Sequence, residues 1–169
     1  KQNLFHLDIL YYIGIGINFF LLLILIAKNR KSFADKILAV WLLLIGVHTI
    51  LYVLSELPAS ESNIHWIIGL SAPFTLVHAP FLYIYVAANT GAISFKRFTW
   101  LLHFVPFVAS ILLLMPLYLM SAKEKMVLYN SGGAEYAYIN AILGIFINLS
   151  GIVYILLSFI LLRKHKKNI

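Results

Sequence analysis

The chain has 169 residues, of which 62% are hydrophobic and only 11% charged, whereas a soluble domain carries about 25% charged residues. This deficit excludes a water-facing surface of ordinary size and predicts an integral membrane protein. Cysteine is absent, which excludes disulfides, thiolate nucleophiles and cysteine-ligated metals. The formal charge of +7 comes from bases that stand beside apolar segments, as topology signals do, so we predict no direct nucleic-acid binding.

Five apolar segments follow one another along the chain, and about 20 residues are enough for a helix to cross a bilayer. They cover residues 7–27, 37–54, 64–88, 99–120 and 138–162, approximately. We therefore predict one all-α domain over residues 1–169, a polytopic transmembrane helical bundle of five spans. The third segment and its flank contain no charged residue from 64 to 95, so we predict that it forms the central helix.

Four prolines lie within the predicted third and fourth spans: Pro73, Pro80, Pro106 and Pro116. A proline inside a helix removes one backbone N–H and clashes with the carbonyl four residues earlier. Neighbouring helices in a membrane bundle can satisfy the freed carbonyls. We therefore predict a helix kink at each of these prolines.

The charges predict an orientation for the five spans. The links after the first, third and fifth spans hold ten of the thirteen basic residues and one acid. The positive-inside rule then places the N-terminus outside and the C-terminus in the cytoplasm. The last span ends in a basic cluster, Arg163, Lys164, Lys166 and Lys167. This cluster is interpreted either as a contact with anionic lipid headgroups or as the flank that stops translocation.

Six polar residues fall at depth within the predicted spans and form a candidate polar layer or pocket: Asn18, His48, Ser71, Thr75, His78 and Asn148. Polar groups are costly in hydrocarbon, so we expect them to face the bundle interior and to bond with one another. The spacing of Ser71, Thr75 and His78 places them on one helix face. They are either structural links between helices or a sensing site, since histidine titrates near neutral pH.

The residues needed for catalysis are missing from the predicted spans. No span carries Asp, Glu, Lys, Arg or Cys in its core, and no paired carboxylates, nucleophile–base pair or phosphate-binding loop is present. We therefore predict a non-enzymatic protein without a cofactor. A metal site from His48, His78 and His103 has no carboxylate or thiolate to complete it, so we predict no metal. Close helix packing is predicted at four glycines, Gly14, Gly16, Gly144 and Gly151.

Three short runs carry a resemblance to a known family. They are His78–Val86 (His-Ala-Pro-Phe-Leu-Tyr-Ile-Tyr-Val), Lys96-Arg97, and Leu101–Phe107 (Leu-Leu-His-Phe-Val-Pro-Phe). Together they resemble the multi-pass N-terminal membrane domain of bacterial AraC-type transcriptional regulators. The run Lys36–Leu44 resembles the second helix of that domain, and related spans precede some membrane histidine kinases.

The resemblance implies a sensor of about seven helices in the bacterial cytoplasmic membrane, followed by a cytoplasmic helix-turn-helix domain. Here five spans and no DNA-binding segment are present, so we expect either a fragment or a small protein that consists of the bundle alone. The favoured function is a membrane sensor or signal-input domain. Its expected partners are membrane lipids and other membrane chains or a second copy. A structural subunit of a larger membrane complex and a transporter fragment remain as alternatives.

Overall fold

The computed structural model describes residues 2–56, 65–92 and 98–167, and every regular element in these ranges is helical. The described residues form seven α-helices: α1 (Gln2–Ala27), α2 (Phe33–Glu56), α3 (Thr75–Asn89), α4 (Val105–Leu113), α5 (Met115–Leu119), α6 (Ala122–Asn130) and α7 (Ala137–Lys167). Short 3₁₀ segments cover His65–Ile67, Ala72–Phe74, Phe98–Phe104 and Ala134–Tyr136. The predicted all-α class is confirmed.

Three helical stretches in the described residues are long and apolar enough to cross a membrane: Ile9–Ala27, Phe33–Ser55 and Ala134–Lys167. They correspond to the predicted first, second and fifth spans. Their apolar side chains stay largely on the outside of the bundle; Leu23, for example, is 64% exposed. A contiguous apolar surface of this kind suits contact with lipid rather than water.

The structure divides the predicted third span into several pieces. Residue 64 lies outside the described residues, and a regular α-helix begins only at Thr75. The preceding chain turns at Gly69, whose φ of +85° is readily adopted only by glycine. A β-carbon there would lie 2.5 Å from the Leu117 side chain, so α5 packs directly against this turn. The Tyr118 hydroxyl donates to the Gly69 carbonyl at 3.2 Å and holds the turn in place.

The four prolines do not act alike. Only Pro80 lies inside a described helix, α3. Pro73, Pro106 and Pro116 occupy the first positions of the segments that begin at Ala72, Val105 and Met115. The first N–H groups of a helix have no intrahelical acceptor, so proline is tolerated there without loss of a bond. These three prolines therefore begin helical segments, where we predicted bends, and the predicted fourth span becomes a 3₁₀ segment followed by α4 and α5.

The helix α3 packs against both α2 and α7, and α1 packs against α2. Two buried apolar clusters share α3. The first joins it to α2 through Ile37, Val77, Phe81 and Ile84. The second joins it to α5, α6 and α7 through Leu76, Leu114, Leu117, Leu128, Ile139 and Leu143. The α3 side chains are therefore enclosed on two sides, which makes α3 the central element of the described fold.

The close contact between α1 and α2 depends on a glycine that the sequence did not single out. A β-carbon on Gly46 would lie 2.8 Å from Asn18 Nδ2 and 2.9 Å from the Phe19 ring. By contrast, a β-carbon on Gly14, Gly16, Gly144 or Gly151 would meet no described atom within 4 Å. The four glycines predicted to mediate close packing do not do so within the described part of this chain.

Candidate functional site

The α2–α3 interface contains the candidate site, and it begins with two residues on one face of α2. Trp41 and His48 are seven positions apart, which is close to two helical turns, so both side chains point the same way. His78 comes from the facing helix α3 and lies between them. Trp41 lies in the first half of α2, where a tryptophan could serve as an anchor at the membrane interface. The structure instead makes it a hydrogen-bond donor inside the interface.

The hydrogen bonds of these three side chains form a chain with one direction. The Trp41 Nε1–H donates to His78 Nδ1 at 3.2 Å, and His78 Nε2 lies 2.8 Å from His48 Nδ1. An indole nitrogen is only ever a donor, so His78 Nδ1 must accept. Neutral His78 therefore carries its proton on Nε2 and donates it to His48 Nδ1. Neutral His48 in turn carries its proton on Nε2.

Aromatic packing keeps these rings in position. The His48 and His78 rings lie edge to edge, with centroids 5.0 Å apart and planes 27° apart, and the His48 ring stacks on Phe74 at 6.0 Å. Trp41 stacks on Phe81 at 6.4 Å with nearly parallel planes. The stacked Phe74 and Phe81 rings restrict rotation of His48 and Trp41, so the hydrogen-bonded arrangement is well defined.

This arrangement suits two neutral imidazoles and does not suit a charged one. A proton added to His78 would turn Nδ1 into a donor that faces the Trp41 donor. A proton added to His48 at Nδ1 would face the proton that His78 donates. Either event breaks a hydrogen bond between α2 and α3 and leaves a positive charge there. A proton, or a polar molecule that competes for these bonds, would therefore weaken the link between α2 and α3.

A second polar contact joins the 3₁₀ segment Phe98–Phe104 to α7. His103 Nδ1 lies 3.0 Å from the Tyr154 hydroxyl, and Tyr83 of α3 packs against both rings, at 5.1 and 5.8 Å. His103 is thus held apart from His48 and His78, and the described residues contain no group of three or more side chains that could hold a metal ion. Tyr154 was not predicted, because the ten tyrosines of the chain give no signal that separates one from another.

The other predicted polar residues find their hydrogen bonds close by. Asn18 is buried, 8% exposed, and its Nδ2 donates to the Leu42 carbonyl of α2 at 2.8 Å. Thr75 donates to the Ala72 carbonyl, and Ser71 makes no side-chain cap bond. Asn148 is exposed and donates to Gly144 of its own helix at 2.7 Å. Of the six, the structure joins only His48 and His78 through their side chains.

The basic cluster at the end of α7 is open to its surroundings. Arg163, Lys164, Lys166 and Lys167 are all exposed. The Arg163 guanidinium lies over the Phe159 ring, 5.6 Å from its centroid, which directs it along the helix surface. The link that contains Lys96 and Arg97, predicted to be cytoplasmic, lies outside the described residues.

No protein-family model matches this chain, and comparisons with curated proteins and with solved structures give no match either. The likeness to the AraC-type membrane domain therefore remains a resemblance of short sequence runs. A proposal for the function of this chain therefore rests on the geometry of the α2–α3 interface.

Proposed function

We propose that this chain is a non-enzymatic sensor or signal-input domain of a multi-pass protein in the bacterial cytoplasmic membrane. The observation that carries the proposal is the Trp41–His78–His48 hydrogen-bond chain between α2 and α3. Neither residues 37–55 nor residues 65–92 include a charged side chain. The two histidines are therefore the side chains of this hydrogen-bond chain that can take up a proton.

The response would start when one hydrogen bond of the Trp41–His78–His48 series is lost. A proton or a competing polar ligand at His48 or His78 removes a link between α2 and α3. Because α3 also packs along α7, a shift of α3 changes the position of α7. The basic end of α7 would then pass the change to an effector, as two-state helix packing does in other switches.

In this proposal the chain crosses the membrane five times, with its N-terminus outside and its C-terminus in the cytoplasm. The 3₁₀ segment Ala72–Phe74 and α3 together extend roughly 28 Å, as do Phe98–Phe104 and α4. Both lengths approach the hydrocarbon thickness of about 30 Å. Non-helical backbone is tolerated at that depth where protein covers it, and Ile67 and Pro73 are buried.

The resemblance to AraC-type regulators supports the same proposal. In such a regulator the cytoplasmic effector would bind DNA, while these 169 residues would contact lipids and other membrane chains or a second copy. The alternative, a structural subunit of a larger complex, assigns the same hydrogen bonds to stability alone. The two hypotheses predict different results when His78 is replaced.

The test measures helix movement against pH. Because the chain contains no cysteine, Lys31→Cys and Lys164→Cys introduce the sole attachment points for two spin labels. These exposed sites lie before α2 and near the end of α7. We expect the distance between the labels in lipid nanodiscs to change as the pH is lowered from 8 to 4, since an interface that favours two neutral imidazoles takes up a proton only in more acidic solution than a free histidine does. His78→Leu should abolish that change and retain a folded bundle.

His165→Leu is the matched control, since it removes an exposed histidine at the end of α7. This variant should respond to pH as the parent does. If the parent shows no distance change while His78→Leu only lowers thermal stability, by about 0.6–2 kcal/mol, the sensor proposal is wrong. The structural interpretation then holds.

A further inference from the structure

Among the residues that the structure describes, Tyr154 makes the only side-chain hydrogen bonds that join α7 to another element. Its hydroxyl lies 3.0 Å from His103 Nδ1 and 3.4 Å from the His103 carbonyl oxygen. The ring of Tyr83, from α3, packs edge-on against His103 at 5.1 Å and lies 5.8 Å from the Tyr154 ring. These three side chains, here called the His103 junction, join α3, the 3₁₀ segment Phe98–Phe104 and α7.

The hydrogen bond to Tyr154 determines how α7 is rotated about its own axis. Near its start α7 packs through apolar side chains, since Ile139 and Leu143 share a buried cluster with Leu76 of α3. Apolar packing is non-directional, and α7 is apolar around most of its circumference, so such contacts leave the rotation weakly determined. A hydrogen bond needs a particular direction, and Tyr154 therefore selects the face of α7 that turns toward α3.

Aromatic contacts connect the His103 junction to the histidine interface between α2 and α3. Trp41, the donor to His78, stacks on the Phe81 ring at 6.4 Å. The Phe81 ring centroid lies 5.0 Å from that of Phe104, the residue next to His103. Closely packed side chains transmit a displacement to their neighbours, because little free space is left to absorb it. A shift of Trp41 is therefore passed to the 3₁₀ segment that holds His103.

We propose that the His103 junction transmits the state of the α2–α3 interface to α7 and sets the position of its basic end. The inference rests on the proposed sensor function and assigns Tyr154 as a positioning residue for its output. The elements that meet here, α3, residues 98–104 and residues 137–162, include no charged side chain. The titratable groups of the junction are therefore His103 and the two tyrosines, and only histidine titrates between pH 8 and pH 4.

Two pairs of spin labels on introduced cysteines separate the movement of α3 from that of α7. Lys31→Cys with Ala92→Cys reports the end of α3 against α2, and Lys31→Cys with Lys164→Cys reports α7; all three positions are exposed. In the full chain in lipid nanodiscs, we expect both distances to change as the pH is lowered from 8 to 4. Tyr154→Phe keeps the ring and removes the hydroxyl. In this variant the α3 distance should still change, and the change of the α7 distance should be lost.

Two further variants serve as controls. Tyr138→Phe removes a hydroxyl from the same helix at a residue that is 65% exposed, and it should keep both distance changes. His103→Asn places an amide oxygen near the position of Nδ1 and does not titrate. It should therefore restore the bond to Tyr154 and also keep both changes.

The possible failures of this inference and of the sensor function give different results. A change of the α7 distance that survives in Tyr154→Phe would overturn the transmission and leave the sensor function intact. Loss of both changes in His103→Asn would place the origin of the response at His103 instead of His78, and would also overturn the transmission. No change at either label pair in the parent chain would refute the sensor function together with the transmission.

Discussion

At the scale of single residues, one hydrogen-bond donor determines the tautomers of the two histidines in the candidate site. The Trp41 indole can only donate, and this imposes one tautomer on His78 and then one on His48. The three side chains come from two helices, so the bonds also join α2 to α3. Removal of the indole N–H should therefore alter both the protonation pattern of the imidazoles and the stability of the interface.

We expect Trp41→Phe to lower stability in detergent by about 1 kcal/mol, since one interhelical hydrogen bond is lost while the stacked ring is kept. It should also allow His78 to adopt both tautomers, which ¹⁵N NMR of labelled histidine detects as a changed Nδ1 resonance. Trp66→Phe serves as the control, because Trp66 is 64% exposed. Unchanged resonances and stability in Trp41→Phe would show that the indole does not control the tautomer.

A second feature at the scale of single residues is the side-chain capping of the start of α6. Glu124 accepts hydrogen bonds from the Ser121 hydroxyl and backbone N–H, at 2.8 and 2.7 Å, and forms a capping box. These two bonds lower the pKa of the Glu124 carboxyl below its usual 4.5. The stabilisation is therefore complete above pH 4.5 and is lost as the pH falls through the lower folded-state pKa.

We expect amide hydrogen exchange in the first turn of α6 to accelerate below about pH 4.5, relative to the intrinsic rate, as Glu124 becomes protonated. Glu124→Gln keeps an acceptor oxygen but does not titrate, so exchange in this variant should show no such acceleration. An identical pH profile in both proteins would mean that the carboxylate does not hold this helix end.

At the scale of elements, small residues and local backbone decide how the helices meet. The helices α1 and α2 approach closely at Gly46, where Asn18 also donates to the Leu42 carbonyl. The helix α5 approaches the turn at Gly69, which joins the described parts of the predicted third and fourth spans. Both contacts need a glycine because a β-carbon would occupy the space of a neighbouring side chain.

We expect Gly46→Ala to lower the thermal stability of the detergent-solubilised chain by about 1–3 kcal/mol, the usual cost of overpacking. The added methyl group would displace Asn18 Nδ2 and the Phe19 ring, and so would disturb the bond to Leu42. Gly14→Ala is the matched control on α1, since its β-carbon meets no described atom. Equal stability of the two variants would contradict the close approach of α1 and α2.

At the scale of the whole molecule, the number of membrane crossings separates the proposed topology from a simpler one. Three helices of the described residues are long and apolar enough to cross a membrane. The proposal adds two more, through α3 and α4 with their 3₁₀ segments. A five-span and a three-span chain place the link between α3 and α4 on opposite sides of the membrane.

Single cysteines at exposed positions report that difference, with an impermeant thiol reagent applied to intact cells. We expect Ala134→Cys to react and both Asn29→Cys and Ala92→Cys to remain unlabelled until the cells are opened. Labelling of Ala92→Cys together with Ala134→Cys would exclude the third and fourth crossings. Labelling of both Asn29→Cys and Ala92→Cys, without Ala134→Cys, would reverse the orientation of the five spans.

The sequence alone determined the class of the protein and its long helices. Hydropathy is a local property, so the apolar runs that become α1, α2 and α7 are visible without a structure. The same holds for the asymmetry of basic residues and for the expectation that His48 and His78 bond to polar partners, since polar groups in apolar runs need them. Prolines also gave a local signal, but that signal does not show whether a given proline bends a helix or begins one.

Only the tertiary structure decided which polar groups meet. The long helices are apolar around their whole circumference, so their sequences do not show which face turns inward. The partnership of Trp41 with His78, the outward position of Asn148 and the contact at Gly46 all depend on the rotation of one helix against another. The turn at Gly69 likewise depends on α5, which is about fifty residues away along the chain, as its hydrogen bond with Tyr118 shows. These contacts arise from packing between distant segments, which no local pattern encodes.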